Sequence, residues 1–205
     1  MSTNYVEEFS YLPATAISDG LKGYNSMDFS IKPISNHTVI GRAYTVKMPK
    51  GQNKEVLKAI KEASVGDVLV IDTEDETSKA IAGDFILGMA QTLGIKGIVT
   101  NGVIRDIEGI KGLDFPVFCK GTTTNAGSKS DEGISNISVT CGGVVVEPGD
   151  IIVGDSDGVV VVPKEMEAGT LERAKKKLQK DEERDAKISN NIQAIHEYID
   201  NILLK

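Results

Sequence analysis

Along residues 38–49, TVIGRAYTVKMP, apolar and polar positions alternate and β-branched residues are frequent, which predicts a strand. In NKEVLKAIKEA (53–63) the apolar positions move to helical spacing. GDVLVIDT (66–73) returns to an uninterrupted apolar run between turn residues, the pattern of a strand buried on both faces. DFILGMAQTL (84–93) is helix-like, and Gly94 is placed to end it. KGIVTNG (96–102) is a second buried strand. Strand, helix and strand in this order predict a βαβ unit, whose right-handed crossover sets the two strands parallel.

The rest of the opening third mixes short strand signals with turns. Beyond the βαβ unit, FPVFCKG (115–121), ISNISVTCGGVVVEPGD (134–150) and IIVGDSDGVVVVP (151–163) predict mostly antiparallel strands joined by Gly and Asp turns. GDSDG (154–158) faintly resembles a calcium loop, but VVVVP supplies no further oxygen ligands, so a hairpin turn is expected. From Lys164 onward the chain reads as helical and charged. Ile188, Ile192, Ile195, Ile199 and Ile202 form one apolar stripe there, a face expected to dock on the body or on a neighbouring subunit. The expected organisation is a single α/β domain over residues 1–163 with a helical extension over 164–205.

Composition removes several classes of function. A chain of 205 residues with 40% hydrophobic and 26% charged content is ordinary for a globular domain. The net charge of −7 belongs to the body, because residues 164–205 hold nine basic and nine acidic residues. An acidic body without Trp or a basic stripe gives phosphate backbones little to bind, so nucleic acid is not an expected ligand. The start, MSTNYVEEFS, has no signal-peptide pattern, and no apolar run approaches the ~20 residues of a membrane span. A cytoplasmic location is expected. Cys119 and Cys141 lack metal-site spacing and read as reduced core residues. His37 and His196 lie far from the βαβ edge, nothing marks Lys79 or Lys96 as a Schiff-base lysine, and no P-loop or dinucleotide fingerprint is present.

The βαβ topology gives TNGVIRD (100–106) its interest. The helix begins at the sheet edge where the first strand ends, and the second strand ends at the same edge, so Gly83 and Asp84 should lie beside Arg105 and Asp106. Ligands in open α/β sheets favour that edge. The unpaired amides of residues 83–86 can cradle a carboxylate, Arg105 can grip the same anion in bidentate fashion, and Asp106 can hold a hard divalent cation, magnesium or manganese. A plainer arrangement fits the same spacing: Asp84 caps the helix while Arg105 and Asp106 form a surface ion pair.

Residues 11–163 resemble the family that includes the regulator of ribonuclease activity A and the 4-hydroxy-4-methyl-2-oxoglutarate aldolases. The resemblance rests on TAISDGL, GRAYTVKMPKGQN, GDVLVIDT, GDFILGMAQTLGIKGIVTNGVIRD and EPGDIIVGDSDGVVVVP, in family order. The aldolase pattern of an Asp, twenty residues, then Arg-Asp is met by Asp84, Arg105 and Asp106. The resemblance implies a swivelling β/β/α-type fold, trimers or hexamers with sites at subunit boundaries, and a metal-dependent lyase acting on a small 2-oxo acid. It implies that Gly83, Asp84, Phe85, Ile86 and Arg105 hold the pyruvyl part of the substrate and that Asp106 holds the metal. Oxaloacetate decarboxylation is the expected side activity. A protein-binding regulator of a ribonuclease and a small-acid binding protein are the alternatives. Two departures stand out: Asn101 where relatives usually have Asp, and Gly109 where many carry an acid.

Overall fold

The computed structural model describes residues 3–34 and 38–204, so His37 lies outside the described residues. Two short helices, α1 (Tyr5–Phe9) and α2 (Ala14–Gly20), lead into β1 (Lys32–Pro33) and β2 (Val39–Lys47). Then come α3 (Lys54–Glu62), β3 (Val68–Asp72), α4 (Asp84–Thr92), β4 (Gly97–Thr100), β5 (Val103–Ile104) and α5 (Ile107–Lys111). The strands β6 (Val117–Cys119), β7 (Gly121–Thr122), β8 (Ile134–Ser135), β9 (Val139–Cys141), β10 (Val144–Val146), β11 (Ile151–Gly154) and β12 (Val159–Val162) follow. Helices α6 (Glu167–Ile188) and α7 (Ile192–Leu203) close the chain.

The main sheet has the order β1-β6-β4-β3-β2-β11-β12. Strands β3 and β4 are parallel neighbours across the α4 crossover, as the pattern requires. The long β2 bends the sheet, because Val39–Arg42 pair antiparallel with β11 while Ala43–Lys47 pair parallel with β3. The β9–β10 and β11–β12 pairs are antiparallel hairpins. One expectation needs correction: β6, in the stretch read with the antiparallel set, runs parallel to β4. It enters the sheet after α5 as another crossover strand. The two N-terminal helices and α5 were also not legible as helices, since five to seven residues are too few to show a helical period.

Alternation within the strands sorts the core into layers. Leu69 and Ile71 of β3 face α3 and α4, where they meet Val56 and Leu87, with Ile98 of β4 in the same cluster. Val68 and Val70 point the other way, onto Phe118, Cys141 and Val146. Val160 and Val162 of β12 pack on Ile17, Leu171 and Ala174 of α2 and α6. Leu87 is fully buried, so truncating it to alanine should cost about 2–5 kcal/mol and loosen the helix that opens the site. Cys119 and Cys141 are buried free thiols, as expected. Burial pushes the Cys119 thiol up to about 11 and raises that of Cys141 further.

GDSDG forms the expected hairpin turn, and Asp155 also caps a helix, because its Oδ2 accepts the Ala14 N–H at 2.9 Å where α2 begins. The C-terminal helices divide. The first half of α6 is built into the core, with Arg173 Nε donating to the Gly20 carbonyl at 2.6 Å. The isoleucine stripe is interrupted at Asn190, which takes a left-handed φ of 62°. Ile192, Ile195, Ile199 and Ile202 on α7 are exposed in the single chain, so this face does not dock on the body. Among the described residues, no helix is long and apolar enough to cross a membrane.

Candidate active site

Backbone pairing brings the two halves of the predicted constellation together. Ala80 bridges in parallel with Val103, Ile81 N–H donates to the Val103 carbonyl at 3.0 Å, and Arg105 N–H donates to the Ala82 carbonyl at 3.0 Å. The stretch leading into α4 therefore runs beside the stretch leading out of β5. The first bond of α4 runs from Leu87 N–H to the Gly83 carbonyl at 3.1 Å, so the amides of residues 84–86 lie ahead of the helical ladder. That of Phe85 meets Asp84 Oδ1 at 2.7 Å.

Asp106 opens α5 with a left-handed φ of 61°, a conformation an aspartate adopts more readily than most residues. Its Oδ2 lies 3.2 Å from Arg105 Nε, and both side chains are about half exposed. The surface ion pair thus exists, and it forms part of a cavity wall.

Two glycines make room for the two carboxylates. A Cβ on Gly83 would overlap Asp106 Oδ2 and sit 3.2 Å from its Cγ and 3.3 Å from Arg105 Cγ. A Cβ on Gly109 would overlap Asp84 Oδ2 and come within 2.8 Å of both its Cβ and Cγ. The Gly109 picked out as an expected departure thus has a physical reading: position 109 lacks a side chain where Asp84 occupies the space. The other, Asn101, is held by its own bonds: Nδ2 donates to Asp72 Oδ1 at 2.8 Å while Oδ1 accepts Thr73 N–H at 2.7 Å. An aspartate at 101 would set two buried carboxylates against each other.

Asp84, Arg105 and Asp106 line one cavity of about 440 Å³, within the usual range for small-molecule sites. Gly83, Phe85 and Ile86 line it too, with Phe85 77% exposed at the rim. All the predicted site residues are therefore brought together. Lys79 and Lys96 are not among the lining residues, and His196 lies exposed on α7. Asn53 and Lys129 join the wall without having been picked out from the sequence. Asn53 reads in the sequence only as the first residue of a helical segment, and Lys129 lies outside any periodic segment.

Among the described residues, no group of three or more His, Cys, Asp or Glu side chains gathers as a metal cage. The donor chemistry fits a different kind of site. One half-exposed carboxylate in an open cavity suits a hard cation that keeps most of its waters, as magnesium does.

The RraA-like family model, described as Aldolase/RraA, matches residues 14–161. The chain belongs to the RraA-like family. A relative from Halalkalibacterium halodurans, named "Putative 4-hydroxy-4-methyl-2-oxoglutarate aldolase", is 49% identical over 201 residues, covering 98% of this chain and 96% of its own. The structure of Streptomyces coelicolor RraAS2, described as an unusual member of the RNase ES inhibitor RraA protein family, superposes with a TM-score of 0.82 at 26% identity. It covers 91% of this chain and 99% of that one. An uncharacterized protein from Pseudomonas syringae pv. tomato also reaches 0.82, at 24% identity and with 96% and 97% coverage, which bears on fold alone. The mixed α/β architecture with a curled sheet and a helical C-terminal region is thus an RraA-family fold.

Proposed function

We propose that this RraA-like protein is a lyase that cleaves a 4-hydroxy-2-oxo acid into pyruvate and a second carbonyl compound, with oxaloacetate decarboxylation as a side activity. The observation that carries the reading is the convergence of Asp84, Arg105 and Asp106 on one cavity, with Gly83 and Gly109 leaving room for the two carboxylates. The name of the Halalkalibacterium relative points the same way.

The chemistry follows from the residues. Breaking the bond between C3 and C4 leaves its electron pair on the pyruvyl half as an enolate. Arg105, with a planar fork of N–H donors, pairs with the substrate carboxylate and offsets the negative charge growing on the adjacent oxygen. The amides of Asp84 and Ile86 at the start of α4 hold the same carboxylate, that of Phe85 being taken by Asp84 Oδ1. Asp84 orients a water that takes the hydroxyl proton and returns one to the enolate carbon. Asp106 would hold a divalent cation, magnesium or manganese, which supplies Lewis-acid stabilisation of the keto oxygen. Oxaloacetate reaches the same enolate by losing carbon dioxide.

We also propose a homotrimer or homohexamer in the cytoplasm, supported by the exposed apolar residues Phe29, Phe85, Ile192 and Leu203. A regulator that binds a ribonuclease is the second reading, and the Streptomyces relative's description favours it. A docking surface has no need of two carboxylates fitted against glycines inside a cavity. The deciding experiment measures pyruvate release from oxaloacetate and from 4-hydroxy-4-methyl-2-oxoglutarate, with and without magnesium. Metal-dependent release supports the lyase. Release from neither substrate at saturating metal refutes it.

A further inference from the structure

Asn53 stands at the N-cap of α3, where asparagine usually accepts a hydrogen bond from the first helical turn. Here its side chain makes no such bond. The residue is only 7% exposed, and Oδ1 is buried without any hydrogen-bond partner, the one such side-chain atom among the described residues. Its main chain is tied down: Asn53 N–H donates to the Ser128 carbonyl at 2.8 Å, and Gly127 N–H donates to the Ala80 carbonyl at 2.9 Å. Gly127 packs so closely that a Cβ there would lie 3.2 Å from Asn53 Cβ. A residue type suited to capping is thus held in the cavity wall with its polar group unsatisfied. A buried acceptor left unpaired is costly, and native folds keep few of them without a use.

The missing partner belongs to a ligand. Of the proposed substrate's groups beyond the pyruvyl part, carboxylates only accept, whereas the C4 hydroxyl both donates and accepts. The unpaired Oδ1 needs a donor, and of these groups only the hydroxyl supplies one. We propose that Asn53 is a specificity-determining residue that binds the C4 hydroxyl of the substrate and so favours hydroxy-oxo acids over oxo acids lacking that group. This rests on the lyase reading above. Asn53 transfers no proton: as the C3–C4 pair moves to the enolate, the hydroxyl proton passes to water and C4 becomes a carbonyl.

The test compares 4-hydroxy-4-methyl-2-oxoglutarate cleavage with oxaloacetate decarboxylation, which offers no such hydroxyl, in wild type, Asn53→Ala and Asn53→Asp. The readout is the ratio of the two kcat/KM values, in which any loss of folded protein cancels. In Asn53→Ala the ratio should fall about 10- to 100-fold, the effect of removing one buried hydrogen bond. Asn53→Asp keeps an acceptor and should preserve the ratio within about threefold, although added negative charge weakens both activities. An unchanged ratio in Asn53→Ala, with both activities falling together or neither falling, overturns the assignment while leaving the lyase intact. A wild-type chain active on neither substrate overturns both.

Discussion

Gly83→Ala separates the geometry of the site from the stability of the fold. The backbone at Gly83, φ −128° and ψ −176°, is open to any residue, so alanine introduces no dihedral strain. Stability terms nearly cancel: alanine reduces unfolded-state entropy by about 0.4–1 kcal/mol and is a poorer N-cap than glycine by a similar amount. For a chain of this size the melting temperature should therefore move by less than about 4 °C. The new methyl, however, occupies the space of Asp106 Oδ2 and crowds Asp106 Cγ at 3.2 Å and Arg105 Cγ at 3.3 Å. Asp106 is half exposed, so its carboxylate can swing away by about 1 Å without unfolding anything, and a misplacement of that size costs on the order of 100-fold in rate. That is about 2.7 kcal/mol of transition-state stabilisation. The assay is pyruvate release from oxaloacetate beside a thermal melt. An activity within threefold of wild type would refute the claim that the position of Asp106 matters.

Exhaustive chelation should abolish oxaloacetate cleavage and readdition of magnesium or manganese restore it, with oxalate, a planar dianion like the enolate, competing with substrate in steady-state inhibition plots. Asp106→Asn should raise the metal concentration needed for half-activity and nearly remove turnover, whereas Arg105→Lys, which loses the fork, should weaken both substrate binding and kcat. Asp84→Asn should lower kcat while leaving the oxalate inhibition constant within about threefold, and equal small losses across all three variants would place the chemistry elsewhere. At pH 8 neither cysteine should react with a thiol reagent in the native protein, and both should react in guanidinium. The sign is set by burial: folded thiols ionise above the ordinary value of about 8.5, so stability holds below that pH and declines as pH rises toward 11. Deleting residues 186–205 should lower the oligomer mass measured by light scattering, since it removes the exposed isoleucines of α7 that are expected to pack on a neighbouring subunit.

The parts of the fold that were legible are those in which one period persists. Val68–Asp72 is buried along its whole length, and Asp84–Thr92 turns Leu87 and Ala90 inward, so the crossover between β3 and β4 could be read from the residue pattern alone. The parallel pairing of β6 could not. Three residues, Val117–Cys119, carry no sign of direction, and what orients them is α5, a single turn too short to announce itself. The break in the isoleucine stripe was hidden for a related reason: spacings of three and four persist through Asn190, although its left-handed backbone starts a new helix.

The site divides along a similar line. Charged residues announce their chemistry, and the topology of one βαβ unit suffices to place Asp84 beside Arg105 and Asp106. Their environment is set by residues that carry no chemistry. Gly83 and Gly109 matter through the atoms they lack, and the reason for each becomes visible only when a carboxylate from another element fills the space. Each helix start supplies an aspartate, and a glycine from the other helix or its cap makes way for it: Gly83 for Asp106 of α5, and Gly109 for Asp84 of α4. This reciprocity ties the two carboxylates to one relative placement of α4 and α5, so a shift of either helix disturbs both. In a site where proton handling and charge neutralisation must act on one substrate, fixing the two acids together limits the freedom with which either can drift out of line.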